Sequence, residues 1–267
     1  MNKSSTKKAV SVIMCLVLVL LLGACQKKTD NGTTATYDPD APATQKSGNK
    51  ENTSDSNTAT VTIPEGYTLV KISWLMEDNG VCSSADFISA AQSYDLSKYG
   101  ILADVKNAQN VCFPLEGYLF PDTYRFFEND DPKRVIQKML DNTEEHYTDE
   151  MRQKTAELGY TTHEMMSMAS VIELESCGYF KEMSSVSAVF WNRLNNWAPG
   201  QRLLQSDVTM NYPYGDGSYN TYENEGLPPG PLCNVTAQAM NAAVYPEEDF
   251  DYYFFVTDSK FRFYYNK

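Results

Sequence analysis

The sequence predicts an α+β protein in which a mixed helical and β domain follows a small N-terminal appendage of βααβ type. Apolar residues recur at helical spacing in several segments that begin at capping residues and end at glycine or proline. Short β-rich runs stand near the start of the body, at VTI, and at its end, where DYYFFVTD and FRFYYNK are predicted to be strands joined by a tight turn. Hydrophobic residues make up 42% of the chain and aromatic residues 12%, which is enough for the core of one large domain.

The first 24 residues have the pattern of a secretory signal peptide. Lys3, Lys7 and Lys8 precede an uncharged apolar run, Ala9 to Ala24, which is short for a membrane span. The run closes on LGAC, a sequence typical of a bacterial lipoprotein signal, so we expect Cys25 to carry a lipid after cleavage. The alternative is an uncleaved anchor with an incidental cysteine. Both interpretations place the body outside the cytoplasm, tethered to the bacterial cell membrane.

Residues 25–60 are interpreted as the lipidated cysteine followed by a disordered linker. From Gln26 to Thr60 the chain contains no Val, Ile, Leu, Met or Phe and consists largely of small and polar residues. Such a composition cannot bury enough apolar surface to form a core. Ordered structure is therefore expected to begin at Val61.

Residues 61–110 are predicted to form the appendage. Val61 to Ile63 is typical of a strand, and Thr68 is placed to cap a helix that ends at Gly80. A second short helix is expected after Ser84. This order of elements indicates a small βααβ-type unit.

Residues 111–267 are predicted to form the main domain. Its first stretch, CFPLEGYLFPDTYRF, shows no clear periodicity, and a second irregular stretch separates the fourth predicted helix of this domain from the fifth. Thr161 and Glu164 have the spacing of a capping box. The predicted helices begin at Asp131, span Thr148 to Leu158, begin at Thr161, and span Ser184 to Asn196 and Thr236 to Tyr245.

Composition and motif content exclude several classes of function. With 22 basic and 35 acidic residues the formal charge is −13, which is unsuited to binding nucleic acid. The sequence has no His/Cys cluster with zinc spacing and no glycine-rich phosphate loop, so we expect neither a metal nor another cofactor. Cys82, Cys112, Cys177 and Cys233 are compatible both with disulfides and with free thiols, and the sequence does not decide between them.

Two acids close the helix that contains SMASVIELES. On a helical wheel Glu175 lies at the centre of the apolar stripe, whereas Glu173 lies on the other side, so the two cannot face each other. A carboxyl group in apolar surroundings has a raised pKa, which prepares it to act as a general acid. The alternative is that Glu175 reaches water at the end of its helix. Glu173 is interpreted as a solvated or structural acid.

Several separated stretches, in the same order, resemble the YceG-like family of endolytic murein transglycosylases. They run from Val61 to the end of the chain and are VTIPEGYTL, PLEGYLFPDTYRF, MASVIELES, SAVFWNRL, LLQSDVTMNY, YNTYENEGLPPGPLCN and YYFFVTD. The resemblance implies an enzyme that cuts the β-1,4 bond between N-acetylmuramic acid and N-acetylglucosamine within peptidoglycan strands. Cleavage closes a 1,6-anhydro ring on the muramic acid and uses no cofactor. The appendage would correspond to a LysM-like module.

The resemblance also implies roles for particular residues. The second acid of the motif A-S-x-x-E-x-E, here Glu175, is the expected catalytic residue. Glu116 is interpreted as structural. Scaffolding is the alternative for the other matched positions, and for Arg193 and Asp207 this alternative takes the form of an internal ion pair. The positions expected to bind substrate are Asn192, Arg193, Gln205, Ser206, Asp207, Tyr219, Asn220 and Tyr222.

The sequence also departs from the family pattern. APGQRLLQSDVTM is longer than usual, Val208 replaces a common proline, the interval between Tyr212 and Tyr219 is short, and CGYFKEM replaces an acidic segment. The C-terminal strand lacks the family's histidine. These departures concern the shape of the cleft and the preferred strand length more than the reaction.

Three functions are thus in competition. The first is a lipid-anchored endolytic transglycosylase that ends the growth of nascent glycan strands beside peptidoglycan synthases. The second is a hydrolytic muramidase, in which an acid such as Asp207 or Glu173 activates water. The third is a peptidoglycan-binding lipoprotein without catalytic activity.

Overall fold

A computed structural model describes residues 57–105, 110–196, 201–210, 212, 217–258, 260 and 262–267, without the side chain of residue 196. The predicted signal peptide (residues 1–24), the lipidation site Cys25 and the predicted linker as far as residue 56 lie outside the described residues. The prediction that the disordered linker continues to residue 60 is wrong, because a paired strand already begins at Thr58. Residues 57–267 form one compact unit, and the description below concerns that unit.

The described chain begins with a strand, two helices and a returning strand. Strand β1 (Thr58–Thr62) is followed by helix α1 (Leu69–Asp78), helix α2 (Ser84–Gln92) and strand β2 (Thr123–Phe127), which pairs antiparallel with β1. Thr68 caps α1 as predicted, because its side chain accepts a hydrogen bond from the third residue of the first turn. Two short 3₁₀ turns, Leu96–Lys98 and Gly100–Leu102, follow α2.

The predicted βααβ order includes a second strand, but the sequence did not locate β2. It lies in the stretch that showed no clear periodicity and beyond residue 110, where the sequence placed the boundary of the appendage. Its side chains nevertheless alternate, since Tyr124 and Phe126 are buried while Arg125 and Phe127 are exposed. Neighbouring prolines and aromatic residues obscure this period of two in the sequence.

Five further helices build the rest of the unit. They are α3 (Pro132–His146), α4 (Asp149–Glu157), α5 (Thr162–Ser176), α6 (Met183–Asn196) and α7 (Ala237–Val244). The predicted caps Asp131, Thr148 and Thr236 each accept a hydrogen bond from their helix. Thr161 and Glu164 form the predicted capping box at the start of α5.

Helix α5 is the centre of the packing and contacts α4, α6 and α7. Its buried residues lie on every side of the helix, including Met165, Met166, Ser170 and Glu173. The single apolar stripe expected from the sequence is therefore wrong for this helix. The helix reaches solvent near its last turn, where Leu174 and Glu175 are partly exposed.

A C-terminal hairpin completes the fold. Strands β3 (Phe254–Thr257) and β4 (Phe263–Asn266) pair antiparallel, as the sequence predicts. One face of the hairpin packs on α6, where the rings of Phe190 and Phe255 meet edge to face at 5.8 Å. The mixture of helices and antiparallel strands confirms the α+β class.

Two further findings concern the length of the helices and the cysteines. No helix within the described residues is both long and apolar enough to cross a bilayer. Within the described residues no disulfide joins Cys82, Cys112, Cys177 or Cys233.

Candidate active site

Glu175 lies in the last turn of α5, where the helix leaves the core. The helix ends at Ser176, and Cys177 then adopts a left-handed conformation with φ 48°. The side chain of Glu175 is partly buried, and its Oε1 accepts a hydrogen bond of 2.5 Å from the hydroxyl of Ser206. The alternative, that Glu175 simply reaches bulk water at the end of its helix, does not fit this partly buried and hydrogen-bonded position.

Burial raises the pKa of Glu175 above its usual value, and the negative charge of Asp207 raises it further. The Ser206 hydrogen bond and the charge of Arg193 act in the opposite direction. The net upward direction is the one predicted from the sequence, although the cause is a half-buried helix end and not an apolar stripe. A carboxyl group in this state retains its proton at a pH at which a free glutamate has lost it.

Two irregular segments, residues 203–209 and 219–222, hold Ser206 in place. The backbone amide of Ser206 donates to Thr221 Oγ1 (3.1 Å), and the hydroxyls of Thr209 and Thr221 lie 2.8 Å apart. Thr209 Oγ1 also donates to the carbonyl of Ser206 (2.7 Å) and accepts from the amide of Thr221 (3.1 Å). We call these three residues, Ser206, Thr209 and Thr221, the hydroxyl clamp. All three are buried.

Sequence reasoning missed the clamp function of Thr209 and Thr221. Both residues lie in family stretches, LLQSDVTMNY and YNTY, but isolated threonines in irregular segments carry no period that would mark them. Their pairing depends on two segments that only the folded chain brings together.

Asp207 and Tyr222 form a pair beside Glu175. The phenol of Tyr222 donates to Asp207 Oδ1 at 2.5 Å, and 41% of the Tyr222 residue is exposed. Burial and the hydrogen bond to Asp207 raise the pKa of Tyr222 to about 12, so its hydroxyl remains a donor at neutral pH. The structure therefore brings together Glu175, Ser206, Asp207 and Tyr222.

Gln205 precedes the clamp in a strained backbone conformation. Its φ is 55°, in the left-handed region that a residue with a side chain seldom occupies. The backbone amide donates to the carbonyl of Thr221 at 3.1 Å, which fixes the main chain. Within the described part of the chain its side-chain amide makes no hydrogen bond, and the side chain is partly exposed. Strain of this kind is often retained at functional sites.

Arg193 of α6 binds main-chain oxygens and is only 6% exposed. Its Nε donates to the carbonyl of Tyr253 (2.7 Å), and Nη1 donates to the carbonyls of Leu204 (2.7 Å) and Gln205 (3.2 Å). The alternative of an ion pair with Asp207 is wrong, because no such contact exists among the described residues. Arg193 instead joins the C-terminal hairpin to the Gln205 segment.

Asn192 does not belong to the group around Glu175. Its side-chain amide donates to the carbonyls of Phe250 (2.6 Å) and Tyr252 (2.9 Å). Both donor positions therefore hold the segment that leads into β3. These hydrogen bonds give Asn192 an anchoring role, and its contact with substrate stays a prediction.

Tyr219 and Asn220 also have structural positions. Tyr219 is 1% exposed, and its ring packs edge to face on Tyr212 at 4.8 Å, so a sugar cannot stack on it. The side-chain oxygen of Asn220 accepts from the amide of Tyr222 at 3.0 Å, as in an Asx turn. The substrate contact predicted for Tyr219 is incompatible with its burial, and Asn220 shapes the turn that presents Tyr222.

Glu173 points away from Glu175 and into the core. It is 3% exposed, and its Oε2 accepts from the amide (2.9 Å) and the hydroxyl (2.7 Å) of Thr236, the cap of α7. The structural interpretation of Glu173 is therefore correct and the solvated one is wrong. With both donors of Thr236 on its carboxylate, Glu173 is not placed to activate water at the site.

Glu116 is a second buried acid, and it connects three segments. Its Oε1 accepts from the amide of Leu69 (2.9 Å) and from Asn234 Nδ2 (3.1 Å), and its Oε2 accepts from the hydroxyl of Tyr212 (3.0 Å). Burial raises the pKa of Glu116 to about 8, against the effect of these hydrogen bonds. Glu116 thus has the structural role that the sequence suggested.

A groove of about 680 Å³ opens at the first turn of α5, at the opposite end of the helix from Glu175. His163, Arg202 and Pro229 belong to its lining. Both ring nitrogens of His163 take part in hydrogen bonds within the fold, one with the Tyr118 hydroxyl (2.8 Å) and one with the Pro229 carbonyl (2.9 Å). Across the described ranges no group of three metal-ligating side chains comes together.

Comparison with known proteins gives concordant matches. The model of a family described as the YceG-like family matches residues 17–267. Two curated relatives are named endolytic murein transglycosylase. The one from Bacillus subtilis (strain 168) is 31% identical over 219 residues, and the one from Streptococcus pneumoniae serotype 2 is 30% identical over 241 residues.

The coverage of these matches is partial. The alignments take in 74% and 78% of this chain but only 59% and 42% of the respective relatives. The crystal structure of a YceG-like protein from Listeria monocytogenes superposes with a TM-score of 0.68 at 29% identity, covering 78% of this chain and 73% of that one.

Proposed function

This chain belongs to the YceG-like family, and from that premise we propose that it is an endolytic lytic transglycosylase of peptidoglycan. The proposed reaction cuts the β-1,4 bond between N-acetylmuramic acid and N-acetylglucosamine inside a glycan strand. The observation that carries the proposal is the position of Glu175, a partly buried acid at a helix end whose Oε1 is bound by Ser206 at 2.5 Å. The names of the curated relatives support the same class of reaction.

A single acid is sufficient for this reaction because the substrate supplies the nucleophile. The protonated carboxyl of Glu175 gives its proton to the bridging oxygen, and the bond from that oxygen to C1 of the muramic acid breaks. The 6-hydroxyl of the same sugar then attacks C1 and closes the anhydro ring. Its proton passes to the Glu175 carboxylate, which restores the acid. Because the nucleophile is intramolecular, its effective concentration is high.

The neighbours of Glu175 suggest a division of tasks. The hydroxyl clamp orients the carboxyl through Ser206, and the negative charge of Asp207 favours both the protonated acid and a positively charged sugar ring. Tyr222 is exposed near the acid, and the side chain of Gln205 is partly exposed directly before Ser206; an aromatic face and an amide suit a pyranose and its N-acetyl group. Arg193 holds the segment before Ser206 through hydrogen bonds to the carbonyls of Leu204 and Gln205 and does not contact substrate.

We further propose that the body acts outside the cytoplasm, held at the membrane by a lipid on Cys25 and by the linker that precedes strand β1. Action there would end the growth of nascent strands beside synthases. The β1–α1–α2–β2 unit is the proposed counterpart of a LysM-like module. Labelling cells with a fatty-acid analogue tests the anchor, because wild-type protein should take up the label and Cys25→Ser should not.

The enzymatic proposal is tested with purified protein and peptidoglycan. Wild-type protein should release fragments ending in anhydro-muramic acid, which mass spectrometry distinguishes from hydrolysed ends by the mass of one water. Glu175→Gln should be inactive yet melt at the wild-type temperature. Glu173→Gln is the matched control, because it should lower the melting temperature and leave the activity of the folded protein unchanged. An active Glu175→Gln would refute the assignment.

A hydrolytic muramidase is the second candidate, and the closeness of Asp207 to Glu175 is the observation that favours it. Asp207 is exposed and retains Oδ2 for an activated water, since its hydrogen bond to Tyr222 uses Oδ1. Hydrolysed ends in place of anhydro ends, together with an inactive Asp207→Asn, would establish this candidate. Binding of strands without either product would leave the third candidate, a wall-binding protein without catalytic activity.

A further inference from the structure

The outer face of the C-terminal hairpin is unusually apolar. Phe254 and Val256 of β3 and Tyr264 of β4 are 45%, 64% and 49% exposed, and Val256 and Tyr264 are direct partners across the hairpin. An antiparallel sheet with one buried face normally presents polar side chains on the other. We call these three residues the hairpin platform. Exposed apolar patches of this kind commonly mark binding surfaces.

An arginine supports each of the two aromatic rings of the platform. The guanidinium of Arg193 lies 5.4 Å from the centre of the Phe254 ring, and that of Arg262 lies 5.9 Å from the Tyr264 ring. Arg262 is held in turn by an ion pair with Asp258 at 2.6 Å. Each ring is therefore contacted by a guanidinium on one side, and its exposed fraction shows that another part of it faces solvent.

A buried side chain connects the hairpin platform to the site around Glu175. Arg193, which supports Phe254, also donates to the carbonyls of Leu204 and Gln205, directly before Ser206. One buried side chain thus links the aromatic ring to the segment that holds the catalytic acid. Because Arg193 and the Gln205 segment stand between them, a sugar on Phe254 is not one of the two sugars that share the broken bond.

We propose that the hairpin platform is an additional subsite that binds a pyranose of the same glycan strand, with Phe254 as its main stacking surface. This inference rests on the proposed function. Sugar rings present a face of C–H groups that packs on an aromatic ring, and a rigid ring loses little conformational freedom when it binds. An enzyme that cuts within strands needs such contacts beyond the broken bond.

The test measures the binding of peptide-free glycan strands to the full chain carrying Glu175→Gln, so that no cutting occurs. In this background Phe254→Ala should weaken the binding of octasaccharides by about tenfold and leave the binding of tetrasaccharides unchanged. Phe254→Tyr should retain the affinity. Phe127→Ala is the matched control, because this phenylalanine of β2 is also exposed, at 58% against 45% for Phe254, but lies on the other sheet.

The possible results separate the subsite from indirect effects. If Phe254→Ala disturbs folding by removing the ring beneath Arg193, Phe254→Leu keeps the apolar support without an aromatic face and should show the same length-dependent loss. Equal weakening for both strand lengths would mean an effect through Arg193 and would overturn the subsite, as would unchanged binding of octasaccharides.

The result that would refute the subsite differs from the result that would refute the proposed reaction. If wild-type protein cuts strands and Phe254→Ala cuts them with the same dependence on strand length, the subsite is refuted while the reaction stands. If wild-type protein binds octasaccharides through Phe254 but never cuts them, the subsite stands and the reaction is refuted.

Discussion

Replacing Glu116 by glutamine should make the stability of the protein less sensitive to pH. Glu116 is 2% exposed and joins the start of α1, the side chain of Tyr212 and the side chain of Asn234. Burial raises its pKa from the usual 4.5 to about 8. Glutamine has nearly the same shape as the protonated acid and does not titrate in this range, so the variant isolates the contribution of this one ionisation.

The direction of the effect follows from proton binding in the two states. Below pH 4.5 the folded and unfolded chains both carry the proton on Glu116, and above about pH 8 neither does. Between these values only the folded chain retains it, so the free energy of unfolding falls as the pH rises. At about 1.4 kcal/mol per pH unit, the interval from 4.5 to about 8 corresponds to a loss of roughly 5 kcal/mol.

Urea unfolding of wild type and Glu116→Gln at several pH values between 4 and 9 measures this contribution. The wild-type free energy of unfolding, relative to that of the variant, should fall progressively across the interval and become constant above it. Glu173 and Glu175 are present in both proteins, so their titration cancels in the difference. Parallel curves would refute the reasoning, because they would mean that the hydrogen bonds keep Glu116 ionised in the folded protein throughout.

Three further predictions concern the candidate site and the backbone. Ser206→Ala removes the hydrogen bond that orients Glu175 and should lower kcat by about tenfold to a hundredfold, with the alkaline limb of the pH–rate profile moving to higher pH. Asp207→Asn removes a charge that raises the pKa of Glu175, so the same limb should move to lower pH; an unchanged limb would contradict the assigned acid. Gly117→Ala should destabilise the fold by about 1–3 kcal/mol, since φ is +88° and the new Cβ would lie 2.3 Å from a proline side-chain carbon. Gly80→Ala, where φ is +69° and the new Cβ would meet open space, should lower the stability less. Thermal unfolding of both variants measures the difference.

Local sequence signals were sufficient for most of the fold. Thr68, Asp131 and Thr236 mark helix starts because the capping hydrogen bond involves residues only two or three positions apart. The final hairpin was also predicted, since its aromatic strands are short and uninterrupted. Strand β2 was not located because its partner, β1, lies about sixty residues earlier in the chain, and pairing over that distance leaves no local signal.

The candidate site was predicted less completely. Glu175 was found by its place in a motif and by its helix, and its raised pKa has the expected direction. Substrate contacts were predicted for Tyr219 and Asn192 from matched positions. Tyr219 is buried, however, and the side-chain amide of Asn192 donates to two backbone carbonyls, so both residues have scaffolding roles. Long-range hydrogen bonds decide such roles, and a pattern of residue types does not reveal which chain segments will meet.

The burial of helix α5 on every side has a consequence for how such chains can diverge. An insertion or deletion of one residue within Thr162–Ser176 would rotate everything beyond it by about 100° and carry Glu175 away from its serine. Because neighbouring segments pack around most of the helix, it cannot shift along its axis to compensate. Length variation is therefore expected outside this helix, and the two unusual spacings of this sequence, in APGQRLLQSDVTM and between Tyr212 and Tyr219, both lie outside it.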